Sequence, residues 1–200
     1  MLPVVTDILY PVIVEIPDET GCLHGRDKVA ALSRHARQAL AVSAVLSECE
    51  LEELEKDHRG APLPHGGTYW SLAHKPDYAA AVCGPIPLGI DIEEIAPRRE
   101  DLFDYIAGSS EWNLFDEKTW DNFFRVFTAK EATLKVTGDG ITKLSRCRVK
   151  EIVDDDHLVM DFDGREWLIE HFRMGGHIAS VTAMNFKITW TVAGRGSEIM

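Results

Sequence analysis

The segment PLGIDIEEI, which spans Pro87–Ile95, alternates apolar and acidic residues in a way typical of a half-buried β-strand. Side chains two residues apart share one face of a strand, at a rise of about 6.6 Å. Asp91 and Glu93 therefore project together, while Ile90 and Ile92 pack on the opposite side. Two interpretations fit this pattern: a solvated acidic face, or a carboxylate pair that binds a divalent cation, which removes the mutual repulsion.

A helix predicted over Thr119–Gly140 supplies a third carboxylate. Glu131 lies in line with a bulky apolar stripe, where a charged side chain is normally avoided. The stripe is formed by Trp120, Phe124, Phe127 and Leu134. If Glu131 joins Asp91 and Glu93, the three carboxylates suit Mg²⁺. Lys135 lies one turn beyond Glu131 and would place a positive charge beside a phosphate, which favours phosphate-transfer chemistry.

The order of predicted elements indicates an α+β fold made of two halves. A strand over 10–16, a helix over 26–48 and strands over 69–73 and 78–83 precede the central segment. After the second helix, strands are predicted over 147–153, 157–162, 166–172, 177–183 and 186–192. This strand, helix, strands order occurs twice, so we expect an N-terminal half over 1–88 and a C-terminal half over 89–200.

Composition excludes several functional classes. The 200 residues carry 33 acidic and 21 basic side chains, a net charge of −12, which does not favour binding of nucleic acid. No apolar run is long enough to span a membrane, and the N-terminus lacks the basic stretch of a signal peptide. The cysteines form no C-x-x-C pair, so we expect reduced thiols and a cytoplasmic protein. They are Cys22, Cys49, Cys83 and Cys147.

Two motifs, GIDIE at 89–93 and FTAKEATLK at 127–135, together resemble the signature of the 4′-phosphopantetheinyl transferases. The length and the upstream sequence resemble the larger Sfp-type members and not the short carrier-protein-synthase type. That family has G-[IV]-D-x-E followed by [FW]-x-x-K-E-[AS]-x-x-K. The matching positions here are Gly89, Asp91, Glu93, Phe127, Lys130, Glu131, Ala132 and Lys135. Either motif alone is weak, whereas both in this order form a specific signal.

The resemblance extends upstream, where it implies residues that bind coenzyme A. Arg34, in the segment Ser33–Leu40, matches an arginine on the first helix of the family that helps to bind coenzyme A. His74 matches a histidine that contacts one of the coenzyme A phosphates. Lys75, next to it, is expected to add positive charge there.

Two positions depart from the family pattern. Ala61 stands where the family has the lysine of a G-K-P motif, and Arg59 is a candidate substitute. Ala73 removes a phosphate-binding hydroxyl beside the histidine. These departures bear on the affinity for coenzyme A more than on the chemistry.

The resemblance implies a pseudo-twofold pair of similar α/β halves with the active site in the cleft between them. It implies transfer of 4′-phosphopantetheine from coenzyme A to a serine of an acyl or peptidyl carrier protein, with release of 3′,5′-ADP. Asp91, Glu93 and Glu131 would hold Mg²⁺. Glu131 would also take the serine proton, directly or through a metal-bound water, and Lys135 would neutralise the developing phosphate charge. A monomer is expected because both halves lie in one chain.

The motifs leave the roles of three further residues less defined. For Lys130, contact with a phosphate and simple solvent exposure are both open, since it lies about 100° around the helix from Glu131. Glu111 lies where the family often has a glutamate before the second helix, and an ordinary loop residue is the expectation favoured here. Trp112 is either an exposed anchor for a carrier protein or, as we expect, a core residue. Two other functions compete with transfer: a Mg²⁺-dependent phosphohydrolase, and a degenerate protein that binds coenzyme A or a carrier without catalysis.

Overall fold

A computed structural model describes residues 8–194 of the chain. The N-terminal part contains β1 (Ile8–Leu9), β2 (Val12–Glu15), α1 (Asp18–Gly21), α2 (Gly25–Leu46), β3 (Tyr69–His74) and β4 (Tyr78–Gly84). The central part contains β5 (Ile90–Glu94), α3 (Leu102–Ile106), α4 (Ser109–Trp112), α5 (Trp120–Thr137) and a 3₁₀ helix (Ile141–Arg146). The remainder contains β6 (Cys147–Ile152), β7 (His157–Phe162), β8 (Arg165–Met174), β9 (His177–Thr182), β10 (Lys187–Ile188) and β11 (Thr191–Ala193).

The first sheet has four strands in the order β11–β2–β4–β3, and α2 packs on one of its faces. The helix forms without an internal glycine or proline and carries apolar residues three to four positions apart. Leu32, Ala36 and Leu40 pack against Val12 and Val14 of β2 in one buried cluster. The predicted helix over 26–48 is therefore confirmed within two residues at each end.

The second sheet has five antiparallel strands in the order β5–β9–β8–β7–β6, and α5 packs on one face. The side-chain oxygen of Thr119 accepts a hydrogen bond of 3.2 Å from the amide of Asn122, which caps the start of α5. Gly138 ends the helix with a φ of 68°, a left-handed conformation that glycine adopts without strain. Both predicted boundaries of this helix are confirmed.

The remaining faces of the two sheets meet in a shared apolar layer. Ile13 and Val82 of the first sheet belong to the same buried cluster as Ile90, Ile92 and Val181 of the second. Because side chains alternate along a strand, the residues between these isoleucines face the opposite side, toward α5. The fold thereby directs the acids of β5 to the face that carries the second long helix.

The mixed α/β architecture with more than one sheet is confirmed, whereas the pseudo-twofold relation of the halves stays a prediction. The predicted strand over 186–192 is divided into β10 and β11. Strand β10 pairs with β1, and β11 pairs with β2, so the end of the described chain returns to the N-terminal sheet. Residues 1–7 and 195–200 of the two predicted halves lie outside the described residues.

Two further observations bear on the expectations drawn from composition. All four cysteines are free thiols. Over residues 8–194, none of the helices combines the length and apolar character needed to cross a membrane.

Candidate active site

Gly89 allows β5 to approach α5 unusually closely. A Cβ atom at this position would lie 1.9 Å from the carbonyl oxygen of Ala132, so a larger residue would push the strand and helix apart. The amide of Gly89 also donates a 2.9 Å hydrogen bond to the hydroxyl of Thr182 on β9. The glycine of the first motif is therefore explained by packing, and this packing brings β5 against the helix that carries Glu131.

The structure places Asp91 close enough to both Glu93 and Glu131 for its charge to raise the pKa of each. Asp91 and Glu93 are buried on β5, and Glu131 is half-buried on α5. One oxygen each of Asp91 and Glu131 is buried without a hydrogen-bond partner in the described structure. Burial raises the pKa of Glu131 and of Glu93, and the neighbouring Asp91 charge raises both further. Perturbed carboxylates with unused oxygens are typical of a functional site.

Two lysines supply the counter-charges of these carboxylates. The Lys135 ammonium donates to Asp91 Oδ1 and to the carbonyl oxygen of Ile90, both at 2.8 Å. The Lys75 ammonium lies 2.6 Å from Glu93 Oε1. Both lysine charges also lower the pKa of Glu131, against the larger effect of burial. The carboxylates and lysines predicted from the sequence therefore converge where β3, β5 and α5 meet.

A pocket of about 210 Å³ opens beside Glu131 and Lys135. Its wall includes Lys56 and Arg59 from the loop before β3, together with Ser71 of β3. Asp57 shapes this loop: its Oδ1 atom accepts hydrogen bonds of 2.8 Å from the amides at positions 59 and 61. The pocket combines a carboxylate with three cationic side chains, which suits a phosphorylated ligand.

Sequence reasoning named Arg59 as a candidate and missed Lys56 and Ser71. The hydroxyl of Ser71 accepts a hydrogen bond of 3.2 Å from the amide of Ile90, so it ties β3 to β5 at the pocket. The only signal for Lys56 was its position three residues before Arg59 in a loop. Nothing local distinguishes such a lysine from an ordinary surface lysine.

His74 and Arg34, two residues of the N-terminal half predicted to bind phosphate, differ in burial. His74 is half-buried at the end of β3, and its pKa is lowered by burial and by the charges of Lys135, Lys75 and Lys56. A neutral imidazole in this cationic environment can still donate one hydrogen bond. Arg34 lies on the exposed face of α2 and is not among the described residues that line the pocket. The roles of both residues in binding coenzyme A stay predictions.

Both interpretations offered for Lys130 are wrong, and so is the assignment of Glu111 to a loop. Lys130 is 1% exposed, and its ammonium donates to Glu111 Oε1 at 2.8 Å and to the carbonyl oxygen of Ile106 at 2.7 Å. Glu111 lies in α4 and accepts further hydrogen bonds from the amides of Val149 and Gly108. The lysine of the second motif therefore anchors α5 to α3, α4 and β6 from within. Trp112 is buried, as predicted.

A buried polar network joins α5 to the second sheet beneath the site. Thr128 Oγ1 lies 2.6 Å from Ser180 Oγ, which lies 2.8 Å from His171 Nδ1. Ser180 is also the register partner of Asp91 across β5 and β9. Burial lowers the pKa of His171 well below its usual value, so the ring is neutral. Sequence reasoning missed this network, because three polar residues far apart in the chain give no combined pattern.

The donor set fits a hard divalent cation such as Mg²⁺. Three carboxylates offer oxygen ligands, and the unpartnered oxygens of Asp91 and Glu131 are available to accept a cation. Within residues 8–194, no three acidic, histidine or cysteine side chains already stand in a metal-binding arrangement. The lysines hold one oxygen of Asp91 and one of Glu93, so a cation would have to rearrange these pairs.

Comparison with known proteins supports the resemblance found in the two motifs. The model of the 4′-phosphopantetheinyl transferase superfamily matches residues 87–182, a segment that contains both motifs and the three carboxylates. The matched segment makes up just under half of the 200 residues. The resemblance inferred from the two motifs is confirmed.

One curated relative carries the same family name. The chain is 33% identical over 109 residues to the 4′-phosphopantetheinyl transferase HetI of Nostoc sp. (strain PCC 7120 / SAG 25.82 / UTEX 2576). The match covers 48% of this chain and 46% of HetI, so the chain spans about half the length of that relative. Arg34 and His74 lie outside the segment matched by the superfamily model.

Proposed function

We propose that this protein transfers 4′-phosphopantetheine from coenzyme A to a serine hydroxyl of an acyl or peptidyl carrier protein. The observation that carries the proposal is the position of Glu131. Its carboxylate has a raised pKa, lies beside Lys135 and lines the cationic pocket, inside the segment that matches the superfamily model. HetI, named as a 4′-phosphopantetheinyl transferase, supports the same reaction class.

The chemistry assigns a task to each side chain. The serine oxygen forms a bond to the pantetheine-bearing phosphorus, and the bond from that phosphorus to the bridging oxygen breaks. The electron pair leaves with 3′,5′-ADP. Glu131 accepts the serine proton, directly or through a water molecule, and its raised pKa makes it a better base than an ordinary glutamate. Lys135 places its ammonium where charge develops on the leaving group.

Asp91, Glu93 and Glu131 would hold Mg²⁺, which when bound would neutralise charge on the phosphates. Arg59 and Lys56 at the pocket would contact phosphate oxygens. Ala61 stands where the family has a lysine, and Arg59 would take over the charge of that lysine. His74, Lys75 and Arg34 are the proposed contacts to the remaining phosphates of coenzyme A. We further expect a monomer. We also expect a cytoplasmic location, because reduced thiols such as these four cysteines are typical of that compartment.

The test is intact-mass spectrometry of an apo carrier protein mixed with this protein, coenzyme A and Mg²⁺. The carrier should gain the mass of one phosphopantetheine group, and EDTA or Glu131→Gln should abolish the gain. Because Glu131 is a partly buried charge with an unused oxygen, Glu131→Gln should leave the melting temperature unchanged or raise it. An exposed acid, Glu166→Gln, is the matched control and should transfer normally.

The alternatives predict different results in the same assay. A phosphohydrolase would release phosphate from a phosphate ester without any carrier. A degenerate family member would bind coenzyme A but leave every carrier unmodified. Either result, obtained with folded protein and several carriers, would contradict the proposed transfer.

A further inference from the structure

Lys75 makes an ion pair with a proposed metal ligand. It lies in the turn between β3 and β4, where its amide donates a 2.8 Å hydrogen bond to the carbonyl oxygen of Tyr78. Its ammonium lies 2.6 Å from Glu93 Oε1, with side-chain exposures of 34% and 11% for lysine and glutamate. An ammonium group and a divalent cation cannot occupy the same position on one carboxylate oxygen.

The two lysines of the site are held very differently. Lys135 has three acceptors, namely Asp91 and the carbonyl oxygens at positions 90 and 72. In the described structure, the Lys75 ammonium has Glu93 as its single ion-pair partner. Its long flexible stem and partial exposure allow it to exchange that partner for another anion nearby. Lys135 is therefore a fixed charge, and Lys75 is an exchangeable one.

Lys75 lies on the Glu93 side of the site, outside the set of described residues that line the pocket. Its charge affects Glu131 on α5 and His74 at the end of β3, as well as Glu93 on β5. A phosphate bound between these elements would lie in the field of the same ammonium. The lysine therefore has one partner in the structure, the Glu93 carboxylate, and a bound phosphate would offer it a second.

We propose that Lys75 couples metal binding to coenzyme A binding by exchanging partners. Without metal, its ammonium neutralises Glu93. When a divalent cation binds Glu93, the ammonium is released and pairs with a phosphate of coenzyme A. This inference rests on the proposed function, and it makes the cation and coenzyme A tighten each other's binding through Lys75.

The experiment is calorimetric titration of the wild-type protein and Lys75→Gln with Mg²⁺, each with and without coenzyme A. Without coenzyme A, Lys75→Gln should bind Mg²⁺ about tenfold more tightly, equivalent to about 1.4 kcal/mol, because the competing ammonium is gone. The factor by which coenzyme A tightens Mg²⁺ binding should fall by about tenfold in this variant. Lys75→Arg keeps the charge and should retain most of the coupling.

A matched control removes the same charge elsewhere. Lys150 is an exposed lysine of β6 that pairs with Glu166, so Lys150→Gln should leave both affinities unchanged. Melting temperatures of all variants in EDTA check that each is folded. A purely structural role for Lys75 predicts a lower melting temperature with unchanged Mg²⁺ affinity, and that result would overturn the inference.

Two further outcomes separate this inference from the proposed function. If Lys75→Gln weakens coenzyme A equally with and without Mg²⁺, Lys75 is a plain phosphate contact, and the coupling is refuted while transfer stands. If the wild-type protein binds neither Mg²⁺ nor coenzyme A and loads no carrier, both proposals fail.

Discussion

The buried ion pair between Lys130 and Glu111 offers a quantitative test of the structure. We consider Lys130→Met, which keeps the length of the side chain and removes its charge. Side-chain exposures of 1% and 9% mean that the remaining Glu111 carboxylate stays desolvated, with only two backbone amides as partners. Breaking a buried pair in this way destabilises a protein by about 3–5 kcal/mol. That is a large part of the about 5–15 kcal/mol that stabilises a typical domain.

Urea denaturation of a double-mutant cycle measures this effect. Lys130→Met and Glu111→Gln should each lower the free energy of unfolding strongly. The double variant should be more stable than the sum of the single losses predicts, by about 1–3 kcal/mol, because no unpaired charge remains. Transfer activity should fall together with stability in the single variants, since the pair anchors the helix that carries Glu131.

An exposed pair serves as the control for the cycle. Lys150 and Glu166 have side-chain exposures of 48% and 57%, so Lys150→Met should lower stability by less than about 1 kcal/mol. Salt should weaken the exposed pair and leave the buried pair nearly unaffected. The reasoning would be refuted if Lys130→Met lowered the free energy of unfolding by less than about 1 kcal/mol. It would also be refuted if the losses of the two single variants added up to the loss of the double variant.

Three further predictions follow from the site and its supporting helix. Gly89→Ala should lower stability by about 1–3 kcal/mol and slow carrier loading, because the new Cβ meets the Ala132 carbonyl; wild-type values in urea denaturation and loading assays would contradict this. Thr119→Ala removes a helix cap and should lower stability by about 1 kcal/mol at an unchanged transfer rate, measured in the same two assays. The raised pKa of Glu93 and Glu131 means that both bind protons more tightly when folded. The Mg²⁺ affinity measured by calorimetry should therefore fall on acidification, and the fall should begin at a pH above the usual glutamate pKa of about 4.3. A Mg²⁺ affinity that does not change with pH would argue against carboxylate ligands.

The sequence by itself determined the features that depend on local geometry. Alternation along β5 directs Asp91 and Glu93 to one face, and helical spacing places Glu131 on the buried side of α5, so these assignments needed no knowledge of the rest of the chain. Thr119 and Gly138 mark the ends of α5 because capping depends on a few neighbouring residues. Local rules therefore identified the helix that carries Glu131, the acidic strand and, through their motifs, the resemblance to the superfamily.

Only the tertiary structure decided which distant residues meet. Lys130 is followed in the motif by the proposed catalytic Glu131, yet it points away and pairs with Glu111, which lies 19 positions earlier in another helix. Lys75 reaches Glu93 because a hairpin turn and a strand from different sheets lie side by side. Lys56 lines the pocket because the loop before β3 passes beside it. Such contacts depend on how the sheets and helices pack together, and burial then selects the pairs that can neutralise each other.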